Sequence, residues 1–176
     1  MAYPVFANGD VLNASDMNAV GLWLVKSQTI GTGVSSVTVS DAFSATYDSY
    51  RIVLTGVSCS TAANVGLSIG ASSTNYYGWM AYGAATVATV NGINNNNTSN
   101  WPYIVGGSAS GLSGWIEIHN PFLAVATYVT SSFNSTASMG IYNGYHSAAT
   151  SYSSFTLTPV GATLTGGTVS VYGYRK

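Results

Sequence analysis

The side chains that could move a proton are few, and they are spread along the chain. The carboxylates are Asp10, Asp16, Asp41, Asp48 and Glu117. Hydrolysis of a glycosidic bond normally requires two carboxylates that flank the bond. Two of the five lie near the N-terminus, two lie in a predicted connection between strands, and Glu117 is distant in sequence from both pairs. We therefore expect no enzymatic activity and no catalytic residue.

Glu117 and His119 have a spacing that could hold a metal ion. They stand two residues apart on a predicted strand and so share a face, while Ile116 and Ile118 lie on the opposite, buried face. A metal site needs at least three protein ligands, which His146 or symmetry-related copies would have to complete. A solvated polar face or a subunit contact explains the same pattern. The sequence favours that interpretation, and we expect no metal and no cofactor.

The low charge of the chain restricts its partners. Charged residues make up 5% of the sequence, against about 25% in ordinary globular domains. Binding to nucleic acid, or to an anionic membrane surface, requires several Lys or Arg on one face. No apolar run approaches the roughly 20 residues of a membrane span. We therefore expect no nucleic-acid partner and no membrane insertion, whereas hydroxyl and amide groups suit uncharged partners such as sugars.

Residues 1–24 are predicted to be a separate N-terminal segment that contains a short α-helix. Asn13 is suited to cap a helix, and the later apolar residues recur at helical spacing. A helix of about a dozen residues is marginal alone in water, so it must dock on its own domain, a neighbouring subunit or a larger assembly. We therefore predict a role in anchoring or oligomerisation. The residues assigned to this role are Phe6, Val11, Leu12, Asn13, Met17, Val20 and Leu24.

Residues 25–176 are predicted to form one all-β domain. Short runs of alternating apolar and polar residues recur almost to the end of the chain. Many short strands at regular spacing are typical of an antiparallel β-sandwich, here jelly-roll-like. Asn-Gly pairs at residues 91–92 and 143–144 indicate hairpin turns. Residues 71–101 are the longest predicted irregular stretch.

Aromatic and amide side chains cluster in this irregular stretch. Such residues are common in adaptable binding loops because they combine large contact area with uncharged hydrogen bonds. The cluster could hold a sugar ring. Alternatively, the aromatic residues fill the core or a subunit interface and the Asn run is a solvated turn. The candidate glycan-contact residues are Tyr76, Tyr77, Trp79, Asn94, Asn95, Asn96, Asn97 and Trp101.

Three segments carry a resemblance to known proteins. They are residues 6–18, FANGDVLNASDMN; residues 36–52, SVTVSDAFSATYDSYRI; and residues 165–175, TGGTVSVYGYR. The first resembles a leader near the start of tailed-bacteriophage tail-fibre and related virion proteins. The other two are similar to the opening and closing strands of phage and cyanophage fibre-like domains.

This resemblance implies a structural protein of a phage virion, commonly a homotrimer, whose N-terminal segment faces other virion proteins and whose β-sandwich points outward. The expected function is that of a short fibre or adhesin subunit that contacts a host-surface glycan. We expect synthesis in the host cytoplasm, since residues 1–24 lack a signal-peptide pattern. The absence of a long shaft after the leader leaves a capsid decoration or head-fibre protein without a receptor as the alternative. A polysaccharide depolymerase is a third possibility.

Overall fold

The described part of the chain is built of β-strands. A computed structural model describes Gly9 and residues 21–174, and within these residues the backbone forms thirteen strands and no helix, so none that could span a membrane. The strands are β1 (Leu22–Thr29), β2 (Val37–Val39), β3 (Ser49–Cys59), β4 (Ala63–Ile69), β5 (Tyr76–Ala84), β6 (Val90–Thr98), β7 (Trp101–Gly107), β8 (Leu112–His119), β9 (Thr127–Ser135), β10 (Ser138–His146), β11 (Phe155–Pro159), β12 (Leu164–Thr165) and β13 (Thr168–Tyr174). Every pair of neighbouring strands is antiparallel, which confirms the predicted all-β, antiparallel fold.

The strands of the described residues form two sheets. The larger sheet has the order β1-β13-β3-β8-β9-β10-β5-β6, with the short β12 paired beside β3. The smaller sheet has the order β2-β11-β4-β7. One hydrophobic core contains inward side chains from both sheets, among them Ile52 and Ile116 from the larger sheet and Leu67, Trp101 and Phe155 from the smaller. Because β7 also contacts β9 and β10, the inner faces of the two sheets lie against each other.

The alternation of buried and partly buried side chains along β3 explains why one face of the larger sheet is buried and the other is exposed to solvent. Tyr50, Ile52 and Leu54 are buried, whereas Arg51 and Val53 between them are only partly buried. Successive side chains of a strand point to opposite faces of the sheet. Burying each large apolar side chain contributes about 1.5–3 kcal/mol. The buried set therefore holds each strand in one register and leaves its other side chains outside.

Residues 22–24 belong to β1 and not to the predicted helix. Leu22 lies opposite Tyr174 and Leu24 lies opposite Tyr172, so backbone pairing with β13 prevails over the helical spacing of the segment. The strand begins ahead of the predicted boundary between residues 24 and 25. The rest of the predicted helix lies outside the described residues. So do six of the candidate anchoring residues: Phe6, Val11, Leu12, Asn13, Met17 and Val20.

Both Asn-Gly pairs that were predicted to form turns lie inside strands, in β6 and β10. The turns fall instead at residues 85–89 and 136–137, between β5 and β6 and between β9 and β10. Gly144 is needed for close packing, because a Cβ there would lie 2.6 Å from the Tyr77 carbonyl oxygen. The predicted irregular stretch is therefore largely a hairpin. That prediction was wrong because an Asn-rich run can form a strand when its neighbour supplies the backbone partners.

Two glycines test the turn before β13: Gly167 lies within it, and Gly161, in the loop between β11 and β12, serves as the reference. Gly167 has a φ of +77°, and a Cβ there would lie 2.4 Å from the Thr55 carbonyl oxygen, whereas Gly161 has a φ of +66° in open space. We expect Gly161→Ala to lower the free energy of unfolding by about 1–2 kcal/mol, the cost of the left-handed backbone. Gly167→Ala adds a steric clash and should cost clearly more. Urea unfolding of both variants measures the difference, and equal losses would contradict this account of the turn.

Candidate functional site

The outer face of the larger sheet presents side chains in rows that run across the strands. Antiparallel register places the outward residues of neighbouring strands opposite one another, with Cβ atoms about 5 Å apart. At one end of the strands the register aligns aromatic rings from five strands, and Ser49 stands between the first two. We call these residues the aromatic row: Tyr174, His119, Tyr128, Tyr145 and Tyr77.

The half of the aromatic row on β9, β10 and β5 consists of tyrosine rings that lie at the surface. The rings of Tyr77 and Tyr145 are stacked, with centroids 4.9 Å apart and planes inclined by 12°. Tyr128 and Tyr145 are exposed although each has large apolar ring area. At the other half, His119 Nδ1 lies 2.9 Å from Ser49 Oγ. The aromatic row therefore exposes ring faces and phenolic hydroxyls to solvent on β9, β10 and β5.

The next row along the strands consists mainly of hydrogen-bonding side chains. Register aligns residues from six strands in it. We call these the polar row: Arg51, Glu117, Thr130, Asn143, Trp79 and Asn94. The Thr130 hydroxyl donates to Asn143 Oδ1 over 3.0 Å. This bond uses the acceptor of the Asn143 amide and leaves its two N–H donors available for a ligand.

The two charges of the polar row neutralise each other. Arg51 Nε donates to Glu117 Oε1 over 2.6 Å, Arg51 Nη2 forms an ion pair with the same oxygen, and the Tyr174 hydroxyl donates to it over 2.5 Å. The hydrogen bond to Glu117 raises the pKa of Arg51, and burial together with that carboxylate raises the pKa of Tyr174. The Arg51 guanidinium also lies 5.3 Å from the centre of the Trp115 ring. The outer face is consequently close to neutral.

A shallow depression of about 270 Å³ lies beside Trp79. Gly92 and Asn94 line it from β6, and no side-chain atom lies within 4 Å of the point where a Gly92 Cβ would stand. Trp79 itself is 48% exposed, and its strand neighbours are Asn143 and Asn94. The volume is close to the lower limit of about 300 Å³ for small-molecule sites. An exposed indole flanked by two amides is therefore the centre of the candidate site.

The structure separates the predicted glycan-contact residues into two groups. Tyr77, Trp79 and Asn94 lie in the two rows. Asn96 and Asn97 are exposed near the Tyr77 end of β6, where the Asn97 side-chain oxygen accepts from the backbone N–H of Asn75 over 2.9 Å. The remaining three face the interior: Tyr76, Asn95 and Trp101.

The three interior residues connect the β5–β6 hairpin to the smaller sheet. The Tyr76 and Trp101 rings meet edge to face with centroids 5.0 Å apart. Asn95 Nδ2 donates to the Tyr76 carbonyl oxygen over 3.1 Å, and its Oδ1 accepts from the Tyr142 hydroxyl over 2.6 Å. Burial raises the pKa of Tyr142, which keeps the phenol protonated as a donor. The position of these three residues therefore does not support the prediction that they face a glycan. Successive side chains of a strand point to opposite faces of the sheet, so Tyr76 and Asn95 point to the interior whereas Tyr77 and Asn94 point to the outer face.

The weak metal candidates have other partners. Glu117 and His119 share the outer face as predicted, but Glu117 is bound by Arg51 and Tyr174. His146 lies on the opposite side of the sheet, in the interior, with Nε2 2.7 Å from Ser72 Oγ. In the described residues, no three His, Cys, Asp or Glu side chains are grouped as metal ligands.

Four further residues of the site come from β9 and β10 and were not predicted: Tyr128, Thr130, Asn143 and Tyr145. Alternation along each strand indicates that they face outward. Their proximity to Trp79 depends on β10 pairing with β5, a strand more than fifty positions earlier in the sequence. No local pattern contains that information.

Comparison of the chain with protein-family models, with curated proteins and with solved structures finds no match. The site is therefore interpreted from its own geometry: ring faces, amides and hydroxyls on a neutral sheet surface.

Neighbouring asparagines of β6 provide a matched test of this assignment. Asn95→Ala removes an interior amide and leaves the Tyr142 hydroxyl and the Tyr76 carbonyl without it, so we expect a loss of about 1–3 kcal/mol in the free energy of unfolding. Asn94→Ala changes an exposed side chain and should stay within about 0.5 kcal/mol of the parent. Chemical unfolding measures both. A large loss for Asn94→Ala, or none for Asn95→Ala, would show that the two side chains are wrongly placed.

His146 should make stability depend on pH. Burial lowers its pKa below the ordinary 6.5. The unfolded state then binds more protons than the folded state below pH 6.5, so the free energy of unfolding falls as the pH is lowered through this range. The slope should approach, at most, about 1.4 kcal/mol per pH unit. Unfolding curves between pH 7.5 and 5.5 measure it. His119→Gln should keep the slope and His146→Gln should reduce it; the reverse result would contradict the assignment.

Proposed function

We propose that this protein is a non-catalytic attachment module of a phage virion that binds an uncharged glycan on the outer face of its larger sheet. The observation that carries the proposal is the alignment of an aromatic row with a polar row whose two charges neutralise each other. Ring faces pack against the apolar faces of sugars, while amides and hydroxyls bond to their hydroxyl groups. Trp79, Asn94 and Asn143 are the central contacts.

The rigidity of the surface supports binding. The site residues stand on paired strands of one sheet, and the stacked Tyr77 and Tyr145 rings and the Thr130–Asn143 hydrogen bond restrain the side chains. A ligand then has less side-chain entropy to remove on binding. The surface is also long, because the rows cross at least five neighbouring strands spaced about 4.8 Å apart. It fits a chain of sugars better than a single small molecule.

The chemistry of the face disfavours the other classes of ligand. Exposed rings can also stack on nucleobases, but a nucleic-acid site needs cations for the phosphates. Here Arg51 is already bound to Glu117. A hydrolase would need a second carboxylate beside Glu117, and the outward register positions next to it hold Arg51 and Thr130.

The architecture is consistent with the resemblance. Two facing antiparallel sheets around one core support a jelly-roll-like β-sandwich, the form expected of such appendages. We infer that the protein assembles as a homotrimer, that the part of residues 1–24 ahead of β1 attaches it to other virion proteins, and that the larger sheet faces outward.

Binding is tested with Trp79 and Gly92 variants. Trp79→Ala removes the central ring, and Gly92→Val fills the depression without removing any contact group. Each should weaken binding of a short uncharged oligosaccharide by about tenfold or more, equivalent to about 1.4 kcal/mol. Calorimetric titration of the full chain against a panel of uncharged oligosaccharides identifies the ligand and measures the change.

Trp115→Ala is the matched control, because Trp115 is another exposed tryptophan of the same face and stands in the row beyond the polar row. It should leave the affinity unchanged. If no uncharged oligosaccharide binds, or if binding survives Trp79→Ala, the proposed glycan site is overturned. Either result would favour a capsid decoration protein without a receptor.

A further inference from the structure

A second surface lies on the same sheet, at the opposite end of the strands from the aromatic row. Apolar residues of β5, β10 and the β5–β6 hairpin line a groove of about 520 Å³ there. Val90 is 80% exposed and Val87 is 57% exposed. Trp115 stands beside this groove across Ser132. We call this set the apolar corner: Ala81, Val87, Val90, Trp115, Met139 and Ile141.

The apolar corner combines a projection and a hollow. Val87 and Val90 project from the end of the hairpin. Gly83 stands in the outward row between Met139 and Val90 and has no side chain, so the floor of the groove is low between these two residues. A surface that has both shapes can receive the hairpin end of another copy of itself. Among the residues that the structure describes, no Lys, Arg, Asp or Glu lines the groove, so these surfaces of two copies approach without charge repulsion.

The size of the corner sets the strength of such a contact. Five strands at about 4.8 Å spacing and about five residues at 3.3 Å give a flat footprint of roughly 400 Å² per copy. Monomeric proteins rarely expose apolar patches larger than a few hundred Å². Two copies would cover about 800 Å² of flat surface, which is below the roughly 1,200 Å² of standard specific interfaces and in the range of weak, transient contacts. This predicts association that depends on concentration.

The adjoining edge of the sheet has no partner strand in the described part of the chain. There β6 is the last strand of the larger sheet, and its residues, VNGINNNNT, include no charged residue and no proline. Charged side chains and prolines are common means by which edge strands avoid other chains. Neither is present next to the apolar corner.

We propose that a second copy of this chain covers the apolar corner, with Val87 and Val90 at the centre of the contact. The proposal specifies the surface for the self-association included in the proposed function. It leaves Trp79 and the tyrosines uncovered because they lie toward the other end of the strands, and Gly92, which pairs with Ala81, marks the border between the two surfaces. Each copy in the assembly therefore keeps one accessible aromatic row.

Two valine-to-aspartate variants test the surface. Val90→Asp places a carboxylate in the contact and should raise the dissociation constant for self-association by about tenfold or more. Val160→Asp makes the same change at a 60% exposed valine after β11, outside the larger sheet, and should have no effect. Sedimentation velocity over a range of concentrations measures the mass as a multiple of 18.2 kDa. Circular dichroism of both variants confirms folding.

A fluorescent label gives a direct readout of the covered surface. The single native cysteine, Cys59, is buried and 2% exposed, so Val90→Cys and Val160→Cys can each be labelled selectively in the folded chain. The label at residue 90 should shift to the blue as concentration rises, and the label at residue 160 should not. A mass that stays at one chain, or an oligomer unaffected by Val90→Asp with no shift at residue 90, would overturn the proposal.

The two proposals fail separately. Trp79→Ala should weaken oligosaccharide binding by about tenfold or more and leave the mass unchanged, whereas Val90→Asp should change the mass and leave the affinity per chain unchanged. An oligomer that persists in Val90→Asp would place self-association elsewhere and leave the glycan site intact. Loss of oligosaccharide binding in Val90→Asp would show that the corner belongs to the glycan site and would overturn its assignment as a contact between copies.

Discussion

The dry contact between the two sheets determines which side chains the protein shows to solvent. Inward residues such as Ile52 and Ile116 meet Leu67 and Trp101 from the smaller sheet in one core. A slip of one residue in any strand would expose the buried set and bury the outer one. The register is therefore strongly fixed, and with it the alignment of outward side chains into rows. Both proposed surfaces depend on this alignment, since neither is formed by residues that are close in sequence.

The outer face divides by chemistry along the strand direction. Rings and amides at one end surround Trp79, and aliphatic side chains at the other end surround Val90. Between its strands β13, β3 and β8, the face holds one ion pair, Arg51 with Glu117. That pair is partly exposed and contributes little to stability. Its main consequence is that the face carries almost no free charge, which suits neutral partners on both surfaces.

The sequence was sufficient to predict strands and, for β8, the side that is buried. Alternation in β8 placed Ile116 inside and Glu117 with His119 outside, because one face of the strand is apolar. It could not supply strand order, so it missed the contribution of β9 and β10 to the site. It also could not distinguish Asn94 from Asn95, which have the same side chain. Only the pairing of β6 with β5 decides which amide faces solvent and which bonds to Tyr142.

The four tryptophans of the chain provide the most direct measurement of the central claim. Each indole N–H gives a separate resonance in a nitrogen–proton correlation spectrum, and Trp23, Trp79, Trp101 and Trp115 occupy different parts of the fold. Titration of the full chain with an uncharged oligosaccharide that binds should shift the Trp79 resonance and leave that of the buried Trp101 unchanged. Saturable binding that shifts the other indoles while Trp79 stays fixed would contradict the account.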